Sequence, residues 1–331
     1  MQPAPHSREL TCRAIVSERN WIMARFLVQP PTDKDTSMKS IVLVTCSAVP
    51  ELNISERLYA EALIARGCRV SVAPWNGPAD VFRTESTIIL RSNWDFHYEP
   101  DAFLDWLMSL KESRKTVFNP PEVAAWNVDK CYLLDLASRG IRIPHTRTVP
   151  NDREAISGVF RELNWPQAVI KPSIGASGYD VKLVRPEELL RSEAGQTWTK
   201  RSPVIVQEFL PELGQGGEIS CVFFDGKFSH SLLRQPAADE FRINSRYGGT
   251  TSLCSVSPRV VQQARGSLAV WDYPLLYARV DGVLRGGDFI LTELEVNEPD
   301  LDLHLAPGAA DRFADATLRR LDAPPEGSAN P

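Results

Sequence analysis

Residues 41–46 form a short, continuous apolar run, the pattern of a strand covered on both faces. Residues 55–66 carry apolar side chains at helical spacing and stop at Gly67, and 69–73 read as a second strand. A third strand at 87–91, a helix at 101–111 and a strand at 116–118 extend the alternation, which is that of an open α/β domain. The pattern breaks at 119–121 and resumes as a helix over 129–139, with Asp129 as its cap, Lys130 in its first turn and Gly140 closing it. Strands are expected at 168–171, 180–184 and 204–209, with a loop at 211–217. Glu218 opens another strand, which turns at Asp225-Gly226 into 227–234, a strong hairpin signal. A helix over 258–271, two strands around a turn in 276–299 and an amphipathic helix over 309–321 complete the pattern.

Polar positions within the 276–299 hairpin change the picture. Arg279 and Asp281 lie two apart on its first strand, and Glu293, Glu295 and Asn297 two apart on its second, so each set lines one face. By simple alternation Phe289 and Leu291 open the same face as Glu293, while Ile290, Leu294 and Val296 make the opposite face apolar. Carboxylates on a strand covered on both sides repel one another unless a cation neutralises them. An oxygen-only set without neighbouring Cys or His favours Mg²⁺ or Mn²⁺ over zinc; the alternative is a pair of surface glutamates on an edge strand. A two-residue Gly286-Gly287 loop with unbroken pairing would turn Asp281 away from Glu293. The sequence therefore predicts an odd-length loop or a glycine bulge that brings them to one side.

Composition narrows the classes. The chain has 331 residues and a formal net charge of −5, which argues against a nucleic-acid surface. No apolar run is long enough for a membrane-spanning helix. Its six cysteines are scattered without a CxxC pair, as expected of buried thiols in a reducing compartment, so a cytoplasmic location is expected. Residues 1–37 lack the pattern of a secretory signal, and the folded part is expected to start at Met38. No GxGxxG follows the first strand.

Three loops add candidate chemistry. RSNWDFHY follows the third strand and offers Arg91, Asn93, Trp94 and Asp95, either to clamp the carboxylate and amine of an amino acid or to bond among themselves. PSIGASG follows Lys171 and lets backbone amides approach a phosphate at Ser177 and Gly178, though a plain hairpin has the same composition. QPAADEFRINSRYGGTTSL, with Arg242, Asn244, Gly248 and Gly249, is either a flexible surface loop or a lid that keeps water from a reactive intermediate.

Taken in order, Lys130, Lys171 with its small-residue loop, QEFL, Glu218, EFRINSRYGG, RVD and ELEVNEP resemble the ATP-grasp superfamily. Within it the likeness is to prokaryotic glutathione synthetases and RimK-like ligases, close to the cyclo-ligase of D-cycloserine biosynthesis, over about residues 38–321. The resemblance implies an α/β ATP-grasp fold behind a Rossmann-like preATP-grasp domain. Residues 1–37 would be an extension and 38–128 the substrate-side domain. Residues 129–321 would be the ATP-grasp domain, with subdomains of about 145–210 and 211–321, and 322–331 a disordered tail.

It further implies an ATP-dependent ligase that activates a carboxylate as an acyl phosphate and forms a C–N bond on a small amino-acid-like substrate. Ring closure, as in antibiotic biosynthesis, is one version of that reaction; a non-catalytic MgATP-binding protein is the alternative. Lys130 and Lys171 would contact phosphates, with Ser177 and Gly178 beside them. Gln207, Glu208, Phe209 and Leu210 would form the adenine hinge, and Glu218 would take the ribose. Asp281, Glu293 and Glu295 would hold two Mg²⁺ ions, with Asn297 competing with Glu295 for the last place. Arg279 would stabilise an oxyanion, and Arg242, Asn244, Gly248 and Gly249 would belong to the closing loop. Family members often pair, so a homodimer is allowed, with no nucleic-acid or membrane partner.

Overall fold

The computed structural model describes residues 38–113, 115–191 and 203–323. The extension expected at 1–37 and residues 324–331 of the expected tail lie outside them; Asp322 ends the last helix.

The first sheet is parallel. β1 (Ser40–Thr45), α1 (Ile54–Ile64), β2 (Arg69–Pro74), α2 (Asp80–Thr84), β3 (Thr87–Leu90), α3 (Pro100–Glu112) and β4 (Thr116–Phe118) alternate along the chain, and the strands lie in the order β2-β1-β3-β4. Because side chains alternate across a strand, Ile41, Leu43 and Ile89 enter one cluster with Tyr59, Leu63 and Phe313. Val42, Val44, Ile88 and Leu90 enter another with Phe103 and Leu107.

The break expected at 119–121 is instead the start of a helix, α4 (Pro121–Val128), with proline in its first turn, where a missing N–H costs nothing. The helix expected from Asp129 begins only at α5 (Tyr132–Ser138). Asp129 forms a bridge with Ile174, and the Lys130 backbone N–H donates to Ser173 O (2.8 Å). Lys130 therefore precedes the helix and does not sit in its first turn.

β5 (Thr146–Val149), α6 (Arg153–Leu163), β6 (Ala168–Pro172), β7 (Lys182–Val184), α7 (Pro186–Arg191) and β8 (Val204–Glu208) form a second unit. Its antiparallel sheet, in the order β5-β8-β6-β7, has its own apolar cluster around Ile156, Phe160, Ile170 and Val206. α8 (Glu212–Gly216) replaces the expected loop and leads into β9 (Glu218–Phe224), β10 (Lys227–Gln235), β11 (Thr250–Cys254), α9 (Pro258–Gly266), β12 (Tyr277–Arg285), β13 (Asp288–Glu295) and α10 (Ala309–Asp322). These strands make an antiparallel sheet in the order β11-β10-β9-β12-β13, with β13 at its edge.

The β12–β13 hairpin has both a two-residue loop, Gly286-Gly287, and a bulge. Arg285 pairs with Asp288 and Gly282 with Leu291, but Asp281 pairs with Glu293, leaving Thr292 as the extra residue. The bulge brings Asp281 opposite Glu293 as expected. It also shifts the parity of β13, so Phe289, Leu291, Leu294 and Val296 all enter one apolar cluster. Phe289 and Leu291 thus do not open the carboxylate face, contrary to the alternation read from sequence. A Cβ at Gly282 would lie 2.5 Å from both Ile290 O and a Phe289 ring carbon. Gly282→Ala is expected to lower stability by about 1–3 kcal/mol, as measured by chemical denaturation.

Candidate active site

β12 and β13 carry the centre of the site. Asp281 on β12 is buried, and Glu293 and Glu295 on β13 are partly buried; a ligand oxygen from each lies within 4.8 Å of the others. Cations already face these groups. Lys130 Nζ pairs with Glu293, and Arg279 Nε lies 3.0 Å from both Asp281 carboxylate oxygens while its Nη2 pairs with Glu295. Arg279 Nη1 donates to Asp300 O at 2.9 Å, so the guanidinium is fixed across the two strands and the following loop.

A cavity of about 410 Å³ opens over these carboxylates. Lys130, Lys171, Ser177, Gly178, Gln207, Glu208, Leu210 and Glu218 line it, as do Arg242, Asn244, Arg279, Asp281, Glu293 and Glu295. Lys171 Nζ donates to Gln207 Oε1 at 3.2 Å, and burial pulls its ammonium down to about 8. Burial, followed by the charge of Asp281, pushes Glu218 up to about 8, while Thr292 Oγ1 donates to it at 2.5 Å. Burial pushes Glu295 up to about 7; burial acts on Glu293 in the same sense, but the charges of Lys130 and Lys171 prevail and hold it low. The common cause is a site crowded with charge and screened from water.

The glycine-bearing loop lies over the small-residue loop. Tyr247 Oη donates to Gly178 O at 3.2 Å, and Arg242 stacks 3.6 Å from the Tyr247 ring centroid while bonding Glu240. Gly178, at φ +69°, has Asn244 and Tyr247 so close that a Cβ would approach them to 3.2 and 3.1 Å. Gly248 and Gly249 lie outside the cavity lining and shape the loop: a Cβ at Gly249 would lie 2.0 Å from Ile243 O. Phe209 is half-buried and does not line the cavity.

Of the four residues assigned to substrate from RSNWDFHY, only Trp94 reaches the cavity. Arg91 is fully buried, paired with the fully buried Glu56 (Nη2 to Oε1, 2.7 Å), bonded to Pro299 O and stacked on Tyr277. Asp95 accepts from Trp75 Nε1 at 2.6 Å and Asn76 Nδ2 at 3.0 Å, which ties its loop to the segment that follows β2. Asn93 Nδ2 donates to Asn297 Oδ1 at 3.1 Å, and both residues are fully buried. Asn297 does not line the cavity, whereas Glu295 does so with Asp281 and Glu293. The side chains of Arg91, Asn93 and Asp95 thus bond residues of other segments, neither the cavity nor one another, and Trp94, whose Nε1 donates to Glu298 O at 2.9 Å, alone of the four lines the cavity.

Arg234, Glu298, Asp300 and Asp302 also line the cavity; the sequence places Arg234 with the cations of the glycine-bearing loop and Glu298 within ELEVNEP, but assigns none of the four a role in the site. Arg234 Nη2 donates to Asp302 Oδ2 at 2.6 Å. Burial, followed by the neighbouring Glu295, raises Glu298 to about 8. The signal for Glu298, Asp300 and Asp302 was the acidic spacing that continues from Glu295 through and beyond Pro299.

An oxygen-only set of three carboxylates beside cationic side chains fits a hard divalent cation with a phosphate-bearing partner. Known proteins point the same way. Residues 41–119 match the family described as D-cycloserine synthetase DcsG, N-terminal domain, and residues 134–269 match the prokaryotic glutathione synthetase ATP-grasp domain. The cycloserine biosynthesis protein DcsG of Streptomyces lavendulae is 27% identical over 304 residues, covering 86% of this chain and 99% of that protein. A probable alpha-L-glutamate ligase of Pseudoalteromonas atlantica is 32% identical over 132 residues, 40% of this chain and 43% of the relative. The crystal structure of D-cycloserine synthetase DcsG superposes with a TM-score of 0.76 at 23% identity, covering 85% of this chain and 99% of that one. D-alanine–D-alanine ligase from Bacillus anthracis gives a TM-score of 0.62 at 15% identity, covering 85% and 96%.

Proposed function

Because the chain belongs to the ATP-grasp superfamily and is one of its carboxylate–amine ligases, we propose that its cavity joins a small amino-acid-like carboxylate to an amine at the expense of ATP. The amine is either that of a second molecule or one within the same molecule, in which case a ring closes. The observation that carries this reading is the gathering of Asp281, Glu293 and Glu295 next to Lys130, Lys171 and Arg279 in one cavity.

Magnesium nucleotide supplies the phosphoryl group that converts a carboxylate oxygen into a leaving group, with the charge neutralised by the metal. Asp281, Glu293 and Glu295 are the residues that would hold two Mg²⁺ ions. Lys130 and Lys171 meet the phosphates, and the hinge around Glu208 and Leu210 takes the base. Glu218 takes the sugar hydroxyls. Arg279, fixed by four contacts, lies where negative charge gathers as the amine attacks. Arg242 and Asn244 exclude water from the activated carboxylate.

The test is ADP release from MgATP across a panel of amino acids, dipeptides and O-ureidoserine, with product masses read from the same wells. A compound that stimulates release and gives a condensation or ring-closure mass supports the proposal. Tight MgATP binding with no stimulated turnover by any member would favour a nucleotide-binding protein instead. In the same assay, Arg242→Ala is expected to lower kcat by about 100-fold. ATP affinity, measured by titration, should stay nearly unchanged. A collapse of ATP affinity with turnover preserved would give the loop another role.

A further inference from the structure

β13 is an edge strand, so its outward backbone groups find no neighbouring strand. Protein groups bond them one after another. Phe289 N–H donates to Gln263 Oε1 at 3.1 Å and Leu291 N–H to Arg142 O at 2.8 Å. Beyond the bulge, Leu294 N–H donates to Tyr132 Oη at 3.0 Å, and Asn127 Nδ2 donates to Leu294 O at 2.7 Å. Val296 N–H donates to Asn127 Oδ1 at 3.1 Å, and Asn119 Nδ2 donates to Val296 O at 2.8 Å. The Asn127 amide thus gives one donor and one acceptor to successive outward residues, as a peptide of a further strand would.

Leu294 and Val296 flank Glu295, and Leu294 separates Glu295 from Glu293. Fixing their backbones sets the height and direction of both carboxylates. Asn127 and Tyr132 also bracket Lys130, the residue paired with Glu293, within one short segment. We infer that Asn127 and Tyr132 are positioning residues for the metal-binding carboxylates, holding Glu293 and Glu295 in the geometry that a divalent cation requires. This inference rests on the metal reading proposed above. An ordinary structural role would stabilise the fold without changing metal affinity per folded molecule. A positioning role changes that affinity, because the spacing of oxygen ligands is set by the backbone that carries them.

The test is Mn²⁺ binding to the full chain in the presence of ADP, followed by electron paramagnetic resonance of the free ion. Wild type, Glu293→Ala, Tyr132→Phe and Asn127→Leu are compared, with thermal melting of each protein recorded without metal. Mn²⁺ affinity is expected to fall by about 10-fold in Tyr132→Phe and by about 10- to 100-fold in Asn127→Leu, with Mg²⁺ half-activation of ADP release moving in parallel. Wild-type affinity in both folded variants, alongside weak binding by Glu293→Ala, would overturn the inference and leave the metal site standing. Absence of Mn²⁺ uptake by wild type would remove the metal site and the inference together. Where Asn127→Leu does not fold, Tyr132→Phe decides, since it deletes one hydroxyl and one hydrogen bond.

Discussion

Glu293→Ala is expected to lower ADP release by about 1,000-fold or more while leaving the chain folded. Glu293 stands opposite Asp281 across the β12–β13 pair and has its carboxylate beside Lys130. The substitution removes one of three oxygen donors and leaves Lys130 without its nearest anion. Both effects act at the centre of the cavity, whereas the backbone of β13 remains held by β12 on one side and by Tyr132 and Asn127 on the other. Circular dichroism and a melting curve separate loss of chemistry from loss of fold. Glu293→Gln is the companion variant: it keeps the volume but lacks the charge that a divalent ion needs, and a large loss is expected again. Full activity in Glu293→Ala would overturn the metal assignment.

Arg91→Met should destabilise the chain by about 3–5 kcal/mol, because it strands the fully buried Glu56 carboxylate without its cation. Urea denaturation measures the loss. Combining it with Glu56→Leu should recover most of the stability, since an apolar pair of similar volume replaces a buried ion pair at little net cost. The result distinguishes two roles for one residue. A substrate-binding arginine would lose activity with stability nearly intact, and Glu56→Leu would restore nothing.

Arg91 shows where the sequence was readable and where it was not. The alternation that marked β1, β2 and β3 comes from local chemistry, since apolar runs of that length have few ways to be covered. The hairpin at Asp225-Gly226 was legible for the same reason: both residues adopt positive φ, at 50° and 69°, which suits that pair of residue types. Whether a charged residue at the end of β3 faces a ligand or a buried partner depends on Glu56, distant in sequence and brought near only by α1. Nothing local to RSNWDFHY encodes that meeting.

The carboxylate set was legible as residues two apart, and so was the need for an irregularity to align Asp281 with Glu293. The place of that irregularity was not. Thr292 carries no mark of a bulge, and Gly282, which the bulge crowds, reads as any glycine in a strand. Pro120-Pro121 looked like an interruption because proline ends helices more often than its role in starting them is noticed. Asn127 lies on the helix so missed, and its bonds to β13 could not be read from the sequence.

The division of apolar clusters also sets how the molecule can move. Ile41, Leu43 and Ile89 of the parallel sheet share one cluster with Val222, Leu232 and Tyr277 of the five-stranded sheet and with Phe313 of α10. Sliding those parts past one another would expose that shared interior to water, so they behave as a single rigid body. The β5-β8-β6-β7 unit has an apolar cluster of its own, and among its described residues only Ile174 and Ala176 of the β6–β7 connection pack into the cluster of the parallel sheet. A tilt of this unit about its connections near Thr146 and Leu210 would keep its own interior intact and would have to part the β6–β7 connection from the parallel-sheet cluster and from Asp129 and Lys130.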